Sequence, residues 1–265
     1  MNITPDLYDD FNNTQPENIQ FKIRFSLLRY YLRPFYGPIK KWRANRKWRN
    51  NFYKESLPWT WEKVNYNRIA VLNILLNKFI SPAYLEIGCA SNLSFNSMPI
   101  IDKTGVDPVE GGNVRMTSND FFKNNNKLFD LIFIDGLHTY EQVHLDLVNA
   151  IKCLSLGGAI VLHDMLPRNW KESNVPRINL EASTGSVWKV AFELIETEGI
   201  DFKILKIDHG VGVLIKKQEN IEIKNYEKLL LDKEFKFFYE NLDLLPIIEW
   251  SDGFKWLKNH NEFSA

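Results

Sequence analysis

The sequence predicts a doubly wound α/β fold: one seven-stranded sheet, parallel except for an antiparallel final hairpin strand. Three observations predict it. Short apolar runs alternate with helical segments from residue 83 onward. Several runs are continuously apolar, as strands buried on both faces of a parallel sheet are. The last two runs lie too close together for a crossover helix, so they must pair antiparallel.

The runs are AYLEIG (83–88), KTGVDP (103–108), NVRMTS (113–118), FDLIFIDG (129–136), GAIVLHDM (158–165), FKILKID (202–208) and GVGVLIKK (210–217). Between the fourth and fifth, Tyr140, Val143, Leu147, Ala150, Ile151 and Leu154 share one face at helical spacing. Thr139 with Gln142 predicts a capping box, and Gly157-Gly158 predicts the helix's far end. Strand, helix and strand in that order make a right-handed crossover, the unit of a Rossmann-like sheet. Only Asp208, His209 and Gly210 separate the centres of the last two runs.

Around this sheet domain (81–218) the chain divides further. Residues 1–20 are polar and Asn-rich and predict a flexible N-terminus. Residues 21–80 predict a basic, aromatic helical arm followed by a leading amphipathic helix over 62–80. Residues 219–265 predict a C-terminal helical extension.

The 265 residues carry 33 basic and 33 acidic side chains, so nothing global points to a polyanionic partner. The balance hides an asymmetry. Residues 21–50 hold ten Lys and Arg and no acid, interleaved with aromatics such as Phe25, Tyr30, Tyr31, Trp42 and Trp48. Packing on the domain or on a sister subunit, with the charges snorkelling outward, is the plain reading of such a segment. Contact with a membrane surface is the second, and nucleic-acid docking a weaker third. Cys89 and Cys153 lack metal-type spacing and read as free thiols of a reducing compartment. With no secretory signal behind MNITPDLYDD and no apolar run of spanning length, the expected location is cytoplasmic, with the arm peripheral to the inner face of the membrane.

Four constellations carry chemistry. Tyr84-Leu85-Glu86-Ile87-Gly88-Cys89-Ala90-Ser91-Asn92 is a strand ending in glycine and small residues, where a ligand can approach backbone closely. Asp107 ends the next strand 19 residues after Gly88, near the spacing of about 20 for an acid that binds ribose hydroxyls. Asp135-Gly136-Leu137-His138 and Leu162-His163-Asp164 follow two neighbouring strands, at the carboxyl end where open sheets place ligands. Two carboxylates and two imidazoles there can hold a divalent cation or act as general base. His144 reads as a surface residue on its helix; His209 in the hairpin turn and His260 in the tail read as uninvolved. The long segment from Met165 to Ser186, with Arg168, Trp170, Lys171 and Arg177, reads as a lid over the acceptor.

These residues carry a resemblance. From Tyr84 to Ile215 the chain resembles the class I S-adenosylmethionine-dependent methyltransferases, and is most similar to the small-molecule O-methyltransferase group of methyltransferase family 24. YLEIG, GVDP, TSNDFF, FDLIFIDGLHTYEQV and GGAIVLHDMLP carry it; SVWK (186–189) does too, though Ser186 stands where an Asp is frequent. The resemblance implies that Glu86, Gly88, Ala90, Ser91 and Asn92 contact the methionine part of the cofactor, that Asp107 holds the ribose, that Ser118 and Asn119 lie beside adenine, and that Asp135 sits near the sulfonium. It implies magnesium on Asp135 and Asp164, in a position where relatives carry an acidic pair and this chain has His163-Asp164. Magnesium prefers oxygen ligands, so His163 favours an imidazole base over a metal. His138, His163, Asp135 and Asp164 are thus the expected catalytic group. The expected function is methylation of a small polar acceptor such as a sugar or glycan. A nucleic-acid methyltransferase docking through the arm, an NAD-type oxidoreductase and a non-catalytic Rossmann-like binding protein stay open beside it, as does an oligomer. Asp-Gly-Leu-His after the fourth strand, where amine methyltransferases carry a proline-aromatic motif, argues against an amine acceptor.

Overall fold

The computed structural model describes Arg46, residues 48–178 and residues 182–259. The chain divides into two compact units, Met1–Phe52 and Tyr53–Ala265. In the first, Arg49–Asn51 make one 3-10 turn, with Asn51 N donating to Trp48 O at 3.0 Å. Residues 1–20, most of the basic stretch and His260 lie outside the described residues.

The second unit is built on strands Tyr84–Ile87 (β1), Lys103–Val106 (β2), Phe129–Ile134 (β3), Leu154–Leu162 (β4), Ile200–Leu205 (β5), Val211–Lys216 (β6) and Ile247–Ile248 (β7). Their order is β2-β1-β3-β4-β6-β5-β7. β1, β2, β3 and β4 run parallel, and β6 is antiparallel to both β4 and β5. This is the Rossmann-like doubly wound sheet with its reversed hairpin. The helices are Arg68–Leu76 (α1), Leu93–Asn96 (α2), Ser118–Asn124 (α3), Tyr140–Ala150 (α4), Trp170–Ser173 (α5), Lys189–Leu194 (α6), Glu227–Leu230 (α7), Phe235–Glu240 (α8) and Trp250–Asn259 (α9).

From β1 the chain steps outward to β2 and then returns to β3 on the other side. The crevice between the carboxyl ends of β1 and β3 is therefore the topological switch point, the place where such sheets bind ligands. Every side chain of β1 is buried. Val71, Leu72 and Leu75 of α1 and Leu257 of α9 close one apolar layer over Tyr84, Leu131, Phe133, Val161 and Val213. Each such side chain contributes about 1.5–3 kcal/mol by leaving water.

Four local expectations change. The run 113–118 makes only an isolated bridge, Val106 to Val114; its only apolar residues are Val114 and Met116, and Met116 and Thr117 are exposed. The seventh strand is instead β7, from the tail, pairing parallel with β5 at the sheet edge. The leading helix spans 68–76 rather than 62–80, because Asn67 in extended conformation caps it by accepting from Ile69 N. Gly157 and Gly158 lie within β4 at a register shift against β3, not at a helix end; a Cβ on Gly158 would lie 2.8 Å from Ser155 O and 2.9 Å from Asp130 O. Thr139 caps α4 as expected, accepting from Gln142 N, but the Gln142 side chain turns elsewhere.

Candidate active site

Gly88, at φ +85°, ends β1 against the end of β3; a Cβ there would sit 2.3 Å from Asp135 O, so only glycine lets the two strand ends close. The loop that follows is strained. Ala90 (φ 41°) and Asn92 (φ 63°) are left-handed. Asp107 holds it: Oδ2 accepts from Cys89 N (3.1 Å) and Ala90 N (3.0 Å), and Oδ1 accepts from Val109 N (2.8 Å) and Glu110 N (2.9 Å). Four amides fill the four acceptor directions of one carboxylate. In this conformation Asp107 organises the loop, and a ribose would have to compete for it. Asn92 Oδ1 accepts from Gly112 N at 2.6 Å, fixing the same loop from the far side. Ser91 is exposed.

Glu86 is buried in β1, where its Oε2 accepts from Tyr84 Oη at 2.6 Å. Burial pushes this carboxyl up to about 7, against the bond from Tyr84. Ser118 and Asn119 open α3 and face α4: Gln142 Nε2 lies 3.2 Å from Ser118 Oγ, 3.2 Å from Asn119 Oδ1 and 3.0 Å from Asp146 Oδ1. Burial pushes Asp146 up to about 6.

Asp135, His138, His163 and Asp164 come together. His138 Nε2 lies 3.4 Å from Asp135 Oδ1, and its Nδ1 lies 2.8 Å from Ser183 O and 3.3 Å from Asp164 Oδ2. His163 Nδ1 lies 3.3 Å from Asp135 Oδ1 and 3.5 Å from Asp164 Oδ2. The long segment over the site is clamped onto the same residue, since Ser186 N donates to His138 O at 3.0 Å. Ser186 Oγ in turn accepts from Tyr140 N at 2.7 Å.

Two members were not foreseen. Asp208 Oδ2 accepts from both the backbone N (3.0 Å) and Nη1 (2.8 Å) of Arg68 and lies 3.4 Å from His163 Nε2. Arg68 Nε is 3.8 Å from Asp135 Oδ2. The hairpin brings Asp208 here because β6 starts beside the end of β4, with Leu162 opposite Gly212. His209 also borders the site: its ring lies 6.5 Å from that of His163 and 5.7 Å from that of Trp61. His144, expected at the surface, instead pairs with the buried Glu193 at 2.8 Å.

The charges balance. Burial alone would lower both imidazoles, but Asp164 and Asp135 outweigh it, raising His138 to about 9 and His163 well above its usual range. Burial would likewise raise Asp135, but the two imidazoles hold it well below the carboxylate range. Asp208 is held low against its burial by His163 and Arg68. Three carboxylates thus face Arg68 and the two imidazoles, and Arg68 Nη1 lies 3.4 Å from His163 Nε2.

Asp135, His138 and Asp164 offer one ligand atom each within 4.8 Å of one another. Two oxygens and one imidazole nitrogen fit a divalent cation that accepts nitrogen ligands better than they fit magnesium. Three buried ring nitrogens, Trp61 Nε1, His163 Nδ1 and His209 Nδ1, make no well-aligned hydrogen bond, although His163 Nδ1 faces Asp135 Oδ1 at 3.3 Å. Strain concentrates here as well. Of the six described non-glycine residues with positive φ, five (Ala90, Asn92, Asp164, Asp208 and His209) line this crevice.

A sheet of this order, with a glycine-ended first strand and acids at the switch point, is a Rossmann-like ligand-binding architecture. Residues 95–165 match the family model described as Methyltransferase domain, of methyltransferase family 24. Over that segment the chain is similar to methyltransferase domains. No curated protein matches the chain. Similar solved structures include an O-methyltransferase from Bacillus cereus in complex with SAH, at 16% identity over 58% of this chain and 83% of that one, TM-score 0.41. Another is MycE of the mycinamycin biosynthetic pathway, solved with Mg, SAH and mycinamycin VI, at 16% identity over 56% of this chain and 48% of that one, TM-score 0.38.

Proposed function

We propose that the chain methylates a hydroxyl of a small polar acceptor, a sugar or glycan. The observation that carries this reading is the joined cluster of Asp135, His138, His163 and Asp164, with unsatisfied ring nitrogens beside it. The acceptor oxygen attacks the methyl carbon in line, the carbon–sulfur bond breaks, and its electron pair stays on the sulfur as a thioether. Alignment of the three atoms supplies much of the rate. The hydroxyl proton needs an acceptor. A sulfonium beside Asp135 would compete with the two imidazoles for the same carboxylates, and His163 or His138 would take the proton of the acceptor hydroxyl. A divalent cation, if one binds, would be held by Asp135, His138 and Asp164 and would polarise the acceptor oxygen.

A methyl-transfer assay on sugars with and without chelator tests the reading. Chelator-insensitive activity that falls about 10²–10⁴-fold in His138→Ala or His163→Ala supports the histidine base. Activity lost to chelator and restored by a divalent ion assigns the step to the cation. Full activity in both variants, insensitive to chelator, overturns the site assignment. For the basic segment 21–50 the reading we keep is contact with an anionic membrane surface, since its ten cations have no acid among them. No helix among the described residues is long and apolar enough to cross a membrane.

A further inference from the structure

We propose that the amino-terminal end of the sheet, opposite the crevice, docks on an anionic phospholipid surface, with Ile80, Ile101, Leu128 and Leu156 entering the lipid and Lys78 meeting a lipid phosphate. The proposal does not depend on the methyl-transfer reading. It adds a second lipid contact to the one proposed for residues 21–50, and two linked weak contacts hold far better than either alone.

Each apolar side chain sits where a strand begins. Ile80 precedes β1, Ile101 precedes β2, Leu128 precedes β3, and Leu156 lies where β4 shifts register against β3. β2, β1, β3 and β4 are neighbours in that order, so the four form one row about 14 Å long, three strand spacings. Hydrogen bonds hold these loops side by side: Tyr84 N donates to Asp102 O at 3.0 Å, and Asp130 N donates to Ala83 O at 2.9 Å. Ile80 and Ile101 are wholly exposed, at 99% and 102%, and Leu128 and Leu156 are exposed at 60% and 47%. Single exposed apolar residues are ordinary, but a row of four along one end of a sheet marks a contact surface. The exposure also selects the partner. A protein partner packs an apolar patch with matched shape. Side chains that stand clear of their neighbours present separate tips, and a fluid lipid layer accepts tips without matching them.

Lysines flank the row. Lys78 lies two residues before Ile80, Lys127 adjoins Leu128, and Lys152 leads into β4. The acids among them are occupied: Asp102 pairs with Lys127, and Asp130 Oδ2 accepts from Ala83 N at 2.9 Å. Glu198 and Glu219 stand apart, beside β5 and β6. Lys78 supplies an independent observation. Its Nζ is buried and has no hydrogen-bond partner. Burial, and then the like charge of Lys217, lower its ammonium to about 8. A phosphate oxygen at Nζ would supply the missing acceptor and offset the repulsion between the two cations. In this orientation the crevice at the carboxyl ends of β1 and β3 faces away from the lipid, open to an acceptor from the aqueous side.

The test is co-sedimentation of the full-length chain with vesicles of phosphatidylcholine, alone or mixed with phosphatidylserine. The proteins are the wild type, the double variant Ile80→Ser/Ile101→Ser, and Lys78→Gln. Both isoleucines lie in water, so their replacement leaves the packing intact. The wild type should bind the phosphatidylserine vesicles, and the double variant should bind them about 10- to 100-fold more weakly. Lys78→Gln should bind about 5-fold more weakly. An environment-sensitive dye on Ile101→Cys should shift to the blue on these vesicles; Cys89 and Cys153 are buried and stay unlabelled. Binding that leaves the dye in water, with the double variant equal to the wild type, assigns lipid contact to residues 21–50 alone and overturns the proposal. Absence of wild-type binding overturns it too. A concentration-dependent dimer that the double variant loses, in place of vesicle binding, gives this face to a second copy and also overturns it. Wild-type binding by Lys78→Gln overturns the phosphate site.

Discussion

Single residues in the crevice hold conformations and charges that cost stability, and each cost is measurable. Ala90 at φ 41° is in the left-handed region, which is about 1–2 kcal/mol unfavourable for a residue with a Cβ. Ala90→Gly should raise stability by about 0.5–1 kcal/mol in denaturant unfolding, the relieved strain exceeding the lost chain stiffness. Asp107 shows the opposite sign. Two of its four amide partners lose their acceptor when one oxygen becomes NH₂, so Asp107→Asn should destabilise the fold by about 1–3 kcal/mol and weaken cofactor binding together. Weakened binding at unchanged stability would instead place the carboxylate on the ribose. Glu86 gives a pH signature. Burial raises its carboxyl from 4.5 to about 7, so between those values the native chain keeps a proton that the unfolded chain has released. Its contribution to stability therefore falls as pH rises through that window and stays low above it. Glu86→Gln can still accept from Tyr84 Oη, and should exceed the wild type by about 1–3 kcal/mol at pH 8, the gap shrinking toward pH 4.5. A gap independent of pH would mean that Glu86 is ionised in the native crevice.

At the scale of elements, buried acids tie together segments that local patterns cannot connect. Glu193 of α6 is fully buried and accepts from Tyr140 Oη at 2.6 Å, His144 Nδ1 at 2.8 Å and Tyr226 N at 2.9 Å. It thereby pins α4, α6 and the start of the tail. Glu193→Ala should cost about 3–5 kcal/mol, because three donors are left unpaired, whereas His144→Ala should cost about 1–2 kcal/mol; urea unfolding of both variants checks the ratio. His144 lies on the polar side of α4, and sequence periodicity assigns that side to water; here it meets α6, 49 residues further on. The same distinction separates what was legible from what was not. β1, β3, β4 and the β5–β6 hairpin announce themselves as apolar runs because burial on both faces demands it. β7 has two residues, too few to show any period, and 113–118 has only Val114 and Met116 as apolar residues. Within the site, Asp135, His138, His163 and Asp164 were legible because each follows a recognisable strand. Arg68 and Asp208 were not, being 140 residues apart and joined only by the fold. One signal was available. Pairing the final strand antiparallel beside the fifth run puts the Asp208-His209-Gly210 turn next to His163-Asp164, and an acid in that turn was therefore a candidate.

At the scale of the whole chain, the catalytic unit begins earlier than the sheet does. Tyr53 packs edge-on to Phe235 and Tyr239 at 6.2 and 5.5 Å between ring centroids. Trp59 contacts Trp61 at 5.6 Å and Phe238 at 6.5 Å, and Trp61 reaches His209 at the crevice. Leu57 N donates to Arg168 O at 2.8 Å, so this segment also touches the start of the long loop over the site. Residues 53–61 thus cover the tail helices and one wall of the crevice, although their sequence groups them with the arm. Each aromatic pair of this kind contributes about 0.5–1.5 kcal/mol beyond its buried area, and five such pairs lie within or end on this segment. We therefore propose Phe52–Tyr53 as the boundary that matters for folding. A chain lacking residues 1–52 should melt within a few degrees of the full-length protein and bind S-adenosylhomocysteine equally well. If the basic segment meets membranes, the same truncation should lose association with anionic liposomes at low salt. A chain lacking residues 1–62 should lose several kcal/mol of stability and expose Phe235, Phe238 and the orphan nitrogen of His209 to water. Side-by-side thermal unfolding and calorimetry of the two truncations decide the matter. Equal stability of both would show that the aromatic segment lies on the surface without supporting the fold, whereas failure of the shorter truncation to fold would make residues 1–52 part of the catalytic unit.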